Sequence, residues 1–339
     1  MTDLTQLGEF GFIGKVDRLL TAKSASVHKG IGDDCAVYEE RGGKRYVAST
    51  DALIETVHFK LTTTTPEQLG MKCISVNVSD VAAMGAVPQS ALISLGIPKT
   101  ISYAFLKRFY RGINRACSAY GIQLAGGDTV SSPKHLFINI TIFGEGKARR
   151  IFYRSGARPG DAILTTGFLG DSALGLKILS SPRRAWKLSK ADRRYLTERH
   201  LNPRARSLEA QKLANSSLRV TSMIDISDGL IQDLKHLDAA SGTGSIIDSA
   251  QLPLSPAFKR VCAANKLNLW ELALSGGEDY ELLFTLNPLD VKKITKLFDK
   301  THSGAVPIGE ITALPGKLLL KDLEGRPQSV KNLMGYQHF

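Results

Sequence analysis

Seven aspartates of this 339-residue chain lie in five short segments rich in glycine and serine. The segments are Gly-Ile-Gly-Asp-Asp at 30–34, Ser-Thr-Asp at 49–51, Asn-Val-Ser-Asp at 77–80, Gly-Gly-Asp at 126–128 and Asp-Ile-Ser-Asp at 225–228. A sixth segment, Ser-Gly-Gly-Glu-Asp-Tyr at 275–280, adds Glu278 and Asp279. Small residues allow a backbone to approach a phosphate closely, and Mg²⁺ prefers a few carboxylates shared with substrate phosphates. The pattern therefore indicates a polyphosphate held by metal ions and not by lysines.

Each of these segments taken alone is also typical of ordinary turns, because aspartate and glycine favour turn conformations. Asp80 is more informative, since Val78 and the apolar residues 81–84 flank it and predict that it is buried. A buried carboxylate needs a partner, and a helix cap, an arginine or a metal ion would each serve. Asp225 and Asp228 bracket a serine where a predicted strand turns into a predicted helix.

The common nucleotide-binding signatures are missing from the sequence. It contains no Gly-Lys-Ser/Thr of a Walker A loop and neither the His-Arg-Asp nor the Asp-Phe-Gly segment of protein kinases. It also lacks a Gly-x-Ser-x-Gly elbow and a His-Glu-x-x-His zinc motif. If the chain binds ATP, it does so by another arrangement.

Composition indicates a globular protein, with 43% hydrophobic and 22% charged residues. Residues 1–10 contain neither a basic nor an apolar leader, so we expect no signal peptide. The charge-free stretch 81–98 is interrupted by Pro88 and Gln89, and we expect no membrane span there. The cysteines form no Cys-x-x-Cys pair, which favours reduced thiols and a cytoplasmic protein.

The net charge of +12 includes a basic segment at 183–194, which holds six basic residues and one acid. Such a surface attracts nucleic acid, anionic membranes or small phosphorylated substrates. We favour a solvated, charged helix, because no zinc finger, aromatic RNA-binding box or heptad accompanies the segment. We therefore expect no nucleic-acid partner.

Apolar runs alternate with helical patterns along the chain, which predicts an α/β or α+β fold in which an acid-bearing turn joins strand to helix. We predict strands at 46–50, 89–95, 122–125, 136–143, 162–166, 220–224 and 280–286. We predict helices at 66–84, 102–120, 171–179, 190–200, 204–215 and 230–240, the first with a capping box formed by Thr65 and Gln68. The segment 144–160 is rich in glycine and arginine. We place a boundary there between an N-terminal domain (1–148) and a C-terminal domain (149–339).

In this order, the six segments resemble those of the thiamine-monophosphate kinase family. That family belongs to a superfamily with aminoimidazole ribonucleotide synthetase and selenophosphate synthetase. The resemblance extends from Gly8 to Phe339, which is essentially the whole chain. It includes His58-Phe59, Arg154-Ser-Gly-Ala, His200-Leu-Asn-Pro and the longer segments at 77–85 and 275–281.

The resemblance implies a homodimer in which the N-terminal sheet pairs with its twin, plus a C-terminal α/β domain. The ATP site would lie between the domains or across the dimer edge. The implied activity is ATP-dependent phosphorylation of thiamine monophosphate to thiamine diphosphate by direct in-line transfer, within thiamine diphosphate biosynthesis. No covalent nucleophile is expected.

The resemblance also assigns roles to individual residues. Ligands of several Mg²⁺ ions would be Asp34, Ser49, Thr50, Asp51, Asp80, Asp128, Asp225 and Asp228, with Asp33 in support. Contacts to the ATP would come from Gly127, Asp128, Arg154 and Ser227. Contacts to thiamine monophosphate would come from His58, Glu278 and Leu333, where Leu333 replaces a tryptophan that is frequent in the family.

Physical chemistry agrees with a metal cage, because carboxylates that converge without cations raise one another's pKa values. Alternatives remain for single residues: His58 would also suit a strand end, and Glu278 and Asp279 would also suit a turn. Alternatives remain for the whole chain as well. It would also suit another ATP-dependent enzyme of the superfamily acting on a different substrate, or a nucleotide-binding protein without catalysis.

Overall fold

The computed structural model describes residues 4–298, 304–322, 324–330 and 335–336, and Leu333 lies outside these ranges. The described residues of the first half of the chain form three helices and a sheet. Its elements are α1 (Leu4–Leu19, interrupted at Gly8), β1 (Val27–Lys29), β2 (Ala36–Tyr38), β3 (Lys44–Ile54), α2 (Pro66–Ala83), β4 (Val87–Pro98), α3 (Tyr103–Tyr120), β5 (Gln123–Ser132) and β6 (Phe137–Lys147).

The second half begins a new sheet after an irregular segment. Its elements are β7 (Ala162–Thr166), α4 (Asp171–Ser180), α5 (Lys190–Leu201), α6 (Ser207–Asn215), β8 (Val220–Asp225), α7 (Leu230–Ser241), β9 (Gly244–Asp248), α8 (Pro256–Ala264), α9 (Leu269–Ser275), β10 (Leu282–Leu286), α10 (Val291–Phe298), β11 (Ala305–Thr312), β12 (Leu318–Lys321) and β13 (Pro327–Ser329). The prediction of a mixed α/β fold with two sheets is confirmed.

Both sheets are mostly antiparallel. The first has the strand order β1-β2-β3-β6-β4-β5, and its β4–β5 pair is parallel. The second has the order β13-β12-β9-β11-β7-β10-β8, and its β9–β12 pair is parallel. Strand β5 therefore forms one edge of the first sheet, and most of its residues are exposed.

Helix α2 lies where the two halves meet. Thr65, Pro66 and Gln68 begin it with the predicted capping box, which satisfies backbone amides that have no partner within the helix. It packs against β3, β4 and β6 of the first sheet and against α6 and β8 of the second half. Most of its residues are buried as a result, including polar ones. The prediction of a helix at 66–84 is confirmed to within one residue.

Helix α2 also packs unusually closely against α3. A Cβ atom added to Gly70 would lie 2.1 Å from the Phe109 carbonyl oxygen, and one added to Gly112 would lie 2.1 Å from that of Glu67. Both contacts are far below van der Waals distance, so the two backbones touch at places where only glycine fits.

Strands β3, β4, β5 and β6 are all longer than the sequence predicted. Two of them, β3 and β5, carry a site aspartate inside the strand and not in a turn. Strand β3 does not end at Asp51 but pairs with β6 as far as Ile54. Strand β5 continues through Gly127 and Asp128, because β4 pairs with it from Ser90 to Pro98. Pairing with a neighbouring strand outweighs the local preference of glycine and aspartate for turns.

Smaller differences occur at two element starts. Helix α6 begins at Ser207 and not at 204. Strand β10 begins at Leu282 and not at 280, since Tyr280 has a positive φ of 51° that no strand residue adopts. Among the described residues, no helix combines the length and apolar character needed to cross a bilayer.

Candidate active site

Three carboxylates converge where the two halves meet, and we call Asp34, Asp80 and Asp225 the acid cluster. Asp34 precedes β2, Asp80 lies in the last turn of α2, and Asp225 ends β8. Each contributes one oxygen to a set whose members all lie within 4.8 Å of one another. The residues come from both halves of the chain, so the fold must be complete before the cluster exists.

Hydroxyl groups and an amide support the cluster from α2 and β3. Ser49 on β3 donates to Asp80 Oδ2 at 2.5 Å, and Ser79 on α2 donates to Asp225 Oδ2 at 2.5 Å. The Asn77 side chain accepts the backbone N–H of Asp51 at 3.1 Å. Asn77 and Asp80 thus both reach β3 from one face of the helix, as residues three apart do.

A single arginine contacts one member of the cluster. Arg154, in the segment between the two sheets, donates Nη2 at 2.6 Å and Nε at 3.0 Å to Asp34 Oδ1. Its backbone N–H also reaches Asp33 Oδ1 at 3.2 Å. The Arg154 side chain remains 20% exposed, which leaves guanidinium donors available to a ligand.

Burial raises the pKa of every acid at this place. It is the largest cause of a pKa of about 8 for Asp225 and about 6 for Asp33 and Asp51, with Asp34 as a further cause in each case. The pKa of Asp80 rises well above its usual value through burial and through Asp51, Asp225 and Asp34. Burial and like charge both disfavour the ionised form, so these acids lack counter-charge.

Two buried carboxylate oxygens indicate that a bound cation would supply the missing positive charge. Asp33 Oδ2 and Asp34 Oδ2 are buried and have no hydrogen-bond partner among the residues that the structure describes. Buried polar atoms normally have one. Convergent carboxylate and hydroxyl oxygens are the donor set of a hard divalent cation. The residues present therefore fit Mg²⁺.

The structure brings some predicted ligands to the cluster and not others. Asp51 is close enough to influence the pKa values of Asp80 and Asp225. The Thr50 hydroxyl instead bonds within the sheet, to Asn139 and the Ile140 carbonyl.

Three further predicted residues lie outside the acid cluster. Gly127 and Asp128 are exposed on the edge strand β5. Asp228 begins the turn before α7, where its backbone N–H donates to Asp233 and its carbonyl accepts from the N–H of Tyr336. Their roles as ligands stay predictions.

The segment 276–281 forms a second concentration of buried charge, which we call the paired loop. Its Glu278 has a φ of +63° and donates its N–H to the carbonyl of Ser227 at 2.7 Å. Lys72 on α2 lies 2.7 Å from Glu278 Oε1, and His200 Nδ1 on α5 lies 3.1 Å from Oε2. Burial alone would raise the pKa of Glu278, but Lys72 and, to a smaller extent, His200 outweigh burial and lower this pKa to about 2.

The rest of the paired loop is also matched by donors. Glu281 binds Arg199 at 2.8 Å and Arg206 at 2.5 Å. Asp279 accepts the backbone N–H groups of Gly170 and Ser172 at the start of α4. A carboxylate at that position accepts hydrogen bonds from backbone amides at a helix N-terminus, which have no partner within the helix.

Sequence reasoning did not single out Lys72, and it noted His200 only within the His-Leu-Asn-Pro segment, without a role. Lys72 stands in the apolar run Leu69-Gly-Met-Lys-Cys-Ile, and a lysine that interrupts a buried helix face signals a buried counter-ion. His200 gave no signal of its own. The predicted substrate residue His58 accepts the backbone N–H of Ile54 at its Nδ1 (3.0 Å), as a residue at a strand end does.

Comparison with known proteins places the chain in a family. Residues 32–145 match the model described as AIR synthase related protein, N-terminal domain, and residues 158–320 match the corresponding C-terminal domain. The two matches cover most of the chain and together include the acid cluster and the paired loop.

Individual relatives are similar over nearly their whole length. The thiamine-monophosphate kinase of Aquifex aeolicus (strain VF5) is 41% identical over 317 residues, which is 93% of this chain and 96% of the relative. That of Escherichia coli (strain K12) is 38% identical over 333 residues, which is 98% of each. A solved structure of AaThiL complexed with AMPPCP and TMP has a TM-score of 0.85 and 36% identity, covering 100% of this chain and 99% of that one. The chain therefore belongs to the AIR synthase related proteins and, among them, to the thiamine-monophosphate kinase family.

Proposed function

We propose that the protein transfers the terminal phosphoryl group of ATP to thiamine monophosphate, which yields thiamine diphosphate and ADP. The acid cluster carries this proposal, because its three carboxylates lie within 4.8 Å of one another and lack matching counter-charge. The names of the relatives support the acceptor, and AMPPCP, an ATP analogue, together with TMP in the similar solved structure supports the pair of substrates.

Mg²⁺ would be held by the acid cluster, with Ser49, Thr50, Asp51, Asp128 and Asp228 as further ligands and Asp33 in support. When bound, it supplies positive charge that lets two anionic phosphates approach each other. Arg154 would bind phosphate oxygens with the donors that face away from Asp34, since a planar guanidinium holds two oxygens at once. Gly127, Asp128 and Ser227 would also contact the nucleotide.

The acceptor needs little activation. The terminal phosphate of thiamine monophosphate is already anionic at neutral pH, so no strong base and no covalent phospho-enzyme is required. The protein's contribution is then to position two phosphates in line, which accounts for most of catalysis in phosphoryl transfer. Glu278, His58 and Leu333 would hold the thiamine end of the substrate.

We propose further that the protein is a cytoplasmic homodimer with domains at 1–148 and 149–339. The exposed edge strand β5 supports the dimer, because a long unpaired edge normally finds a cover. Gly127 and Asp128 lie on that edge and would complete the site across it. The four cysteines are free and buried, as expected of thiols in a reducing compartment. No nucleic-acid partner is proposed.

The test is a product assay by anion-exchange chromatography with ATP, Mg²⁺ and thiamine monophosphate. Thiamine diphosphate should form in step with ADP and only with Mg²⁺ or a similar hard cation. Free thiamine should be a poor acceptor, because its alcohol would need a base. Equal or better turnover of free thiamine would overturn the substrate assignment, and nucleotide binding without ADP release would favour a non-catalytic protein.

The dimer has its own test. Light scattering at micromolar concentration should give twice the 36.8 kDa mass of the chain. A mass near that of one chain would contradict the proposal.

A further inference from the structure

Glu278 is held from two sides by residues to which the sequence assigned no role. Lys72 is 2% exposed and meets Oε1, and His200 is 8% exposed and meets Oε2. The Glu278 side chain itself is 26% exposed. A carboxylate has about four lone-pair sites on its two oxygens, so each oxygen keeps an acceptor site for a ligand.

The backbone of this residue is fixed as well. A left-handed φ of +63° is strained for glutamate, and its N–H is bonded to the Ser227 carbonyl. A Cβ atom added to Gly277 would lie 2.5 Å from that same carbonyl oxygen, so the paired loop is packed directly on the turn that carries Ser227. Strain kept in place by surrounding contacts is a feature of functional sites.

We propose that Lys72 and His200 are positioning residues for the reaction, which hold the Glu278 carboxylate in one orientation as a hydrogen-bond acceptor for thiamine monophosphate. This inference rests on the proposed function and deepens it. Lys72 already neutralises the charge of Glu278, so the carboxylate acts on the substrate as an acceptor more than as a counter-ion. The amino group on the pyrimidine ring of thiamine is a donor of the matching kind.

Helix α2 connects Lys72, the partner of Glu278, to the acid cluster, because it carries both Lys72 and Asp80. Lys72 and Asp80 are eight residues apart on α2, about 12 Å along its axis. The helix therefore fixes the distance between the acid cluster, where the phosphates would lie, and the residue that holds Glu278. A substrate with a phosphate at one end and a ring donor at the other fits such a spacing.

The first experiment compares KM values for the two substrates. Lys72→Met should raise the KM for thiamine monophosphate about tenfold, in line with loss of one charge-assisted hydrogen bond. The KM for ATP and kcat should change less than about threefold, since binding lost equally in ground and transition states appears in KM alone. In a protein that already carries Glu278→Gln, Lys72→Met should no longer raise the KM for thiamine monophosphate, because Lys72 acts on the substrate only through the Glu278 carboxylate.

Arg206→Met is a matched control. It also removes one cation from a buried carboxylate of the paired loop, but Glu281 keeps Arg199 and is not exposed. It should lower stability without changing the ratio of the two KM values. His200→Gln keeps a hydrogen-bond donor and should preserve the KM for thiamine monophosphate, whereas His200→Ala should raise this KM. If Lys72→Met fails to fold, these two variants test the positioning role instead.

The second experiment uses the analogue in which a hydroxyl replaces the pyrimidine amino group, oxythiamine monophosphate. The wild-type protein should have a higher kcat/KM for thiamine monophosphate than for this analogue. Lys72→Met should reduce the ratio of these two kcat/KM values. Within the part of the chain that the structure describes, Lys72, His200, Tyr280 and Tyr336 interact electrostatically with this carboxylate. Without Lys72, burial raises the pKa of Glu278, so the ratio of mutant to wild-type kcat/KM should recover as the pH rises.

The outcomes separate this inference from the proposed function. If the wild-type protein does not phosphorylate thiamine monophosphate, the proposed function fails and this inference fails with it. If wild-type turnover is normal but Lys72→Met leaves the KM unchanged, or raises both KM values equally as a damaged fold would, this inference alone is overturned.

Discussion

The acid cluster and the paired loop both bury carboxylates, yet the pKa values of Asp225 in the cluster and Glu278 in the loop are shifted in opposite directions. Asp225 in the cluster has a pKa of about 8, whereas Glu278 in the loop has a pKa of about 2. The difference is counter-charge: Lys72 meets Glu278 and two arginines meet Glu281, while Arg154 meets Asp34 alone of the three cluster acids.

This contrast distinguishes buried carboxylates that cations of the protein compensate from buried carboxylates that need a bound ligand for compensation. Burying an ionised group is unfavourable unless a partner compensates it. Glu278 and Glu281 of the paired loop already have cationic partners on neighbouring elements of the protein, so their charges are compensated without a ligand. The acid cluster has more buried carboxylates than cations, so its compensation must come with the substrate.

Removing a ligand from the cluster should have the largest effect. Asp80→Asn preserves shape but removes a negative charge, and turnover should fall by roughly two to three orders of magnitude, as when one preorganised electrostatic group is lost. Circular dichroism should show an intact fold. Glu324→Gln, an exposed acid paired with Arg326, is the control and should be neutral. Near-normal turnover of Asp80→Asn at ordinary Mg²⁺ would remove this residue from the metal site.

Removing the charge of a carboxylate in the paired loop should lower the free energy of unfolding. Glu281→Gln leaves Arg199 and Arg206 buried without their carboxylate, and loss of one partner of a buried pair typically destabilises by about 3–5 kcal/mol. Urea denaturation would measure the change. If Glu281→Gln unfolds at the wild-type urea concentration, the paired loop does not stabilise the fold.

The two regions should also differ in their pH dependence. For an acid with a raised folded pKa, the native state binds more protons than the unfolded state, so stability falls as pH rises. For Asp225 and for the neighbouring acids Asp33 and Asp51, this loss runs from about pH 4 to folded pKa values of about 8 for Asp225 and about 6 for the other two. Glu278 behaves oppositely: its contribution is complete above its usual pKa of 4.5 and is lost only toward pH 2.

The melting temperature in EDTA should therefore be lower at pH 8 than at pH 6, and Mg²⁺ should reverse that order because it binds the ionised acids. Asp225→Asn should reduce the difference in EDTA. An equal or higher melting temperature at pH 8 in EDTA would mean that the cluster is not short of positive charge.

The smallest effect is expected at the thiamine end. Leu333 lies outside the described residues, but Tyr336 nearby bonds to the Asp228 carbonyl, and Glu278 and Asp228 influence its pKa. Leu333→Trp should lower the KM for thiamine monophosphate roughly three- to tenfold through aromatic stacking, with the KM for ATP unchanged. Overpacking would reverse the sign, and an unchanged KM would place this segment away from the substrate.

The sequence predicted α2, β7 and the acid-bearing turn after β8 well, because strong local signals mark each of them. Thr65 and Pro66 begin α2, and Asp225 follows an apolar run. It also predicted that Asp80 lies beside other acids, although the structure leaves Asp80 only half-buried. These features depend on residues that are neighbours in the chain.

What the sequence could not predict depends on partners distant in the chain. Asp51 and Asp128 lie within strands because β6 and β4 pair with those strands. The pairing of Glu278 with Lys72 joins residues about two hundred positions apart, and no local pattern at Glu278 distinguishes a turn residue from the centre of an ion network. Only the assembled fold shows which buried acids are compensated.

Helix α2 also limits which changes in chain length this protein tolerates. Each residue inserted into a helix rotates everything beyond it by about 100°. One residue inserted or deleted between Lys72 and Asp80 would turn the lysine away from the paired loop or the aspartate away from the acid cluster. The helix cannot slide to recover, because Gly70 and Gly112 fix it against α3 at backbone contact. We expect the eight-residue interval to accept substitutions but no insertions or deletions, which makes it a better marker of this active site in unknown sequences than either residue alone.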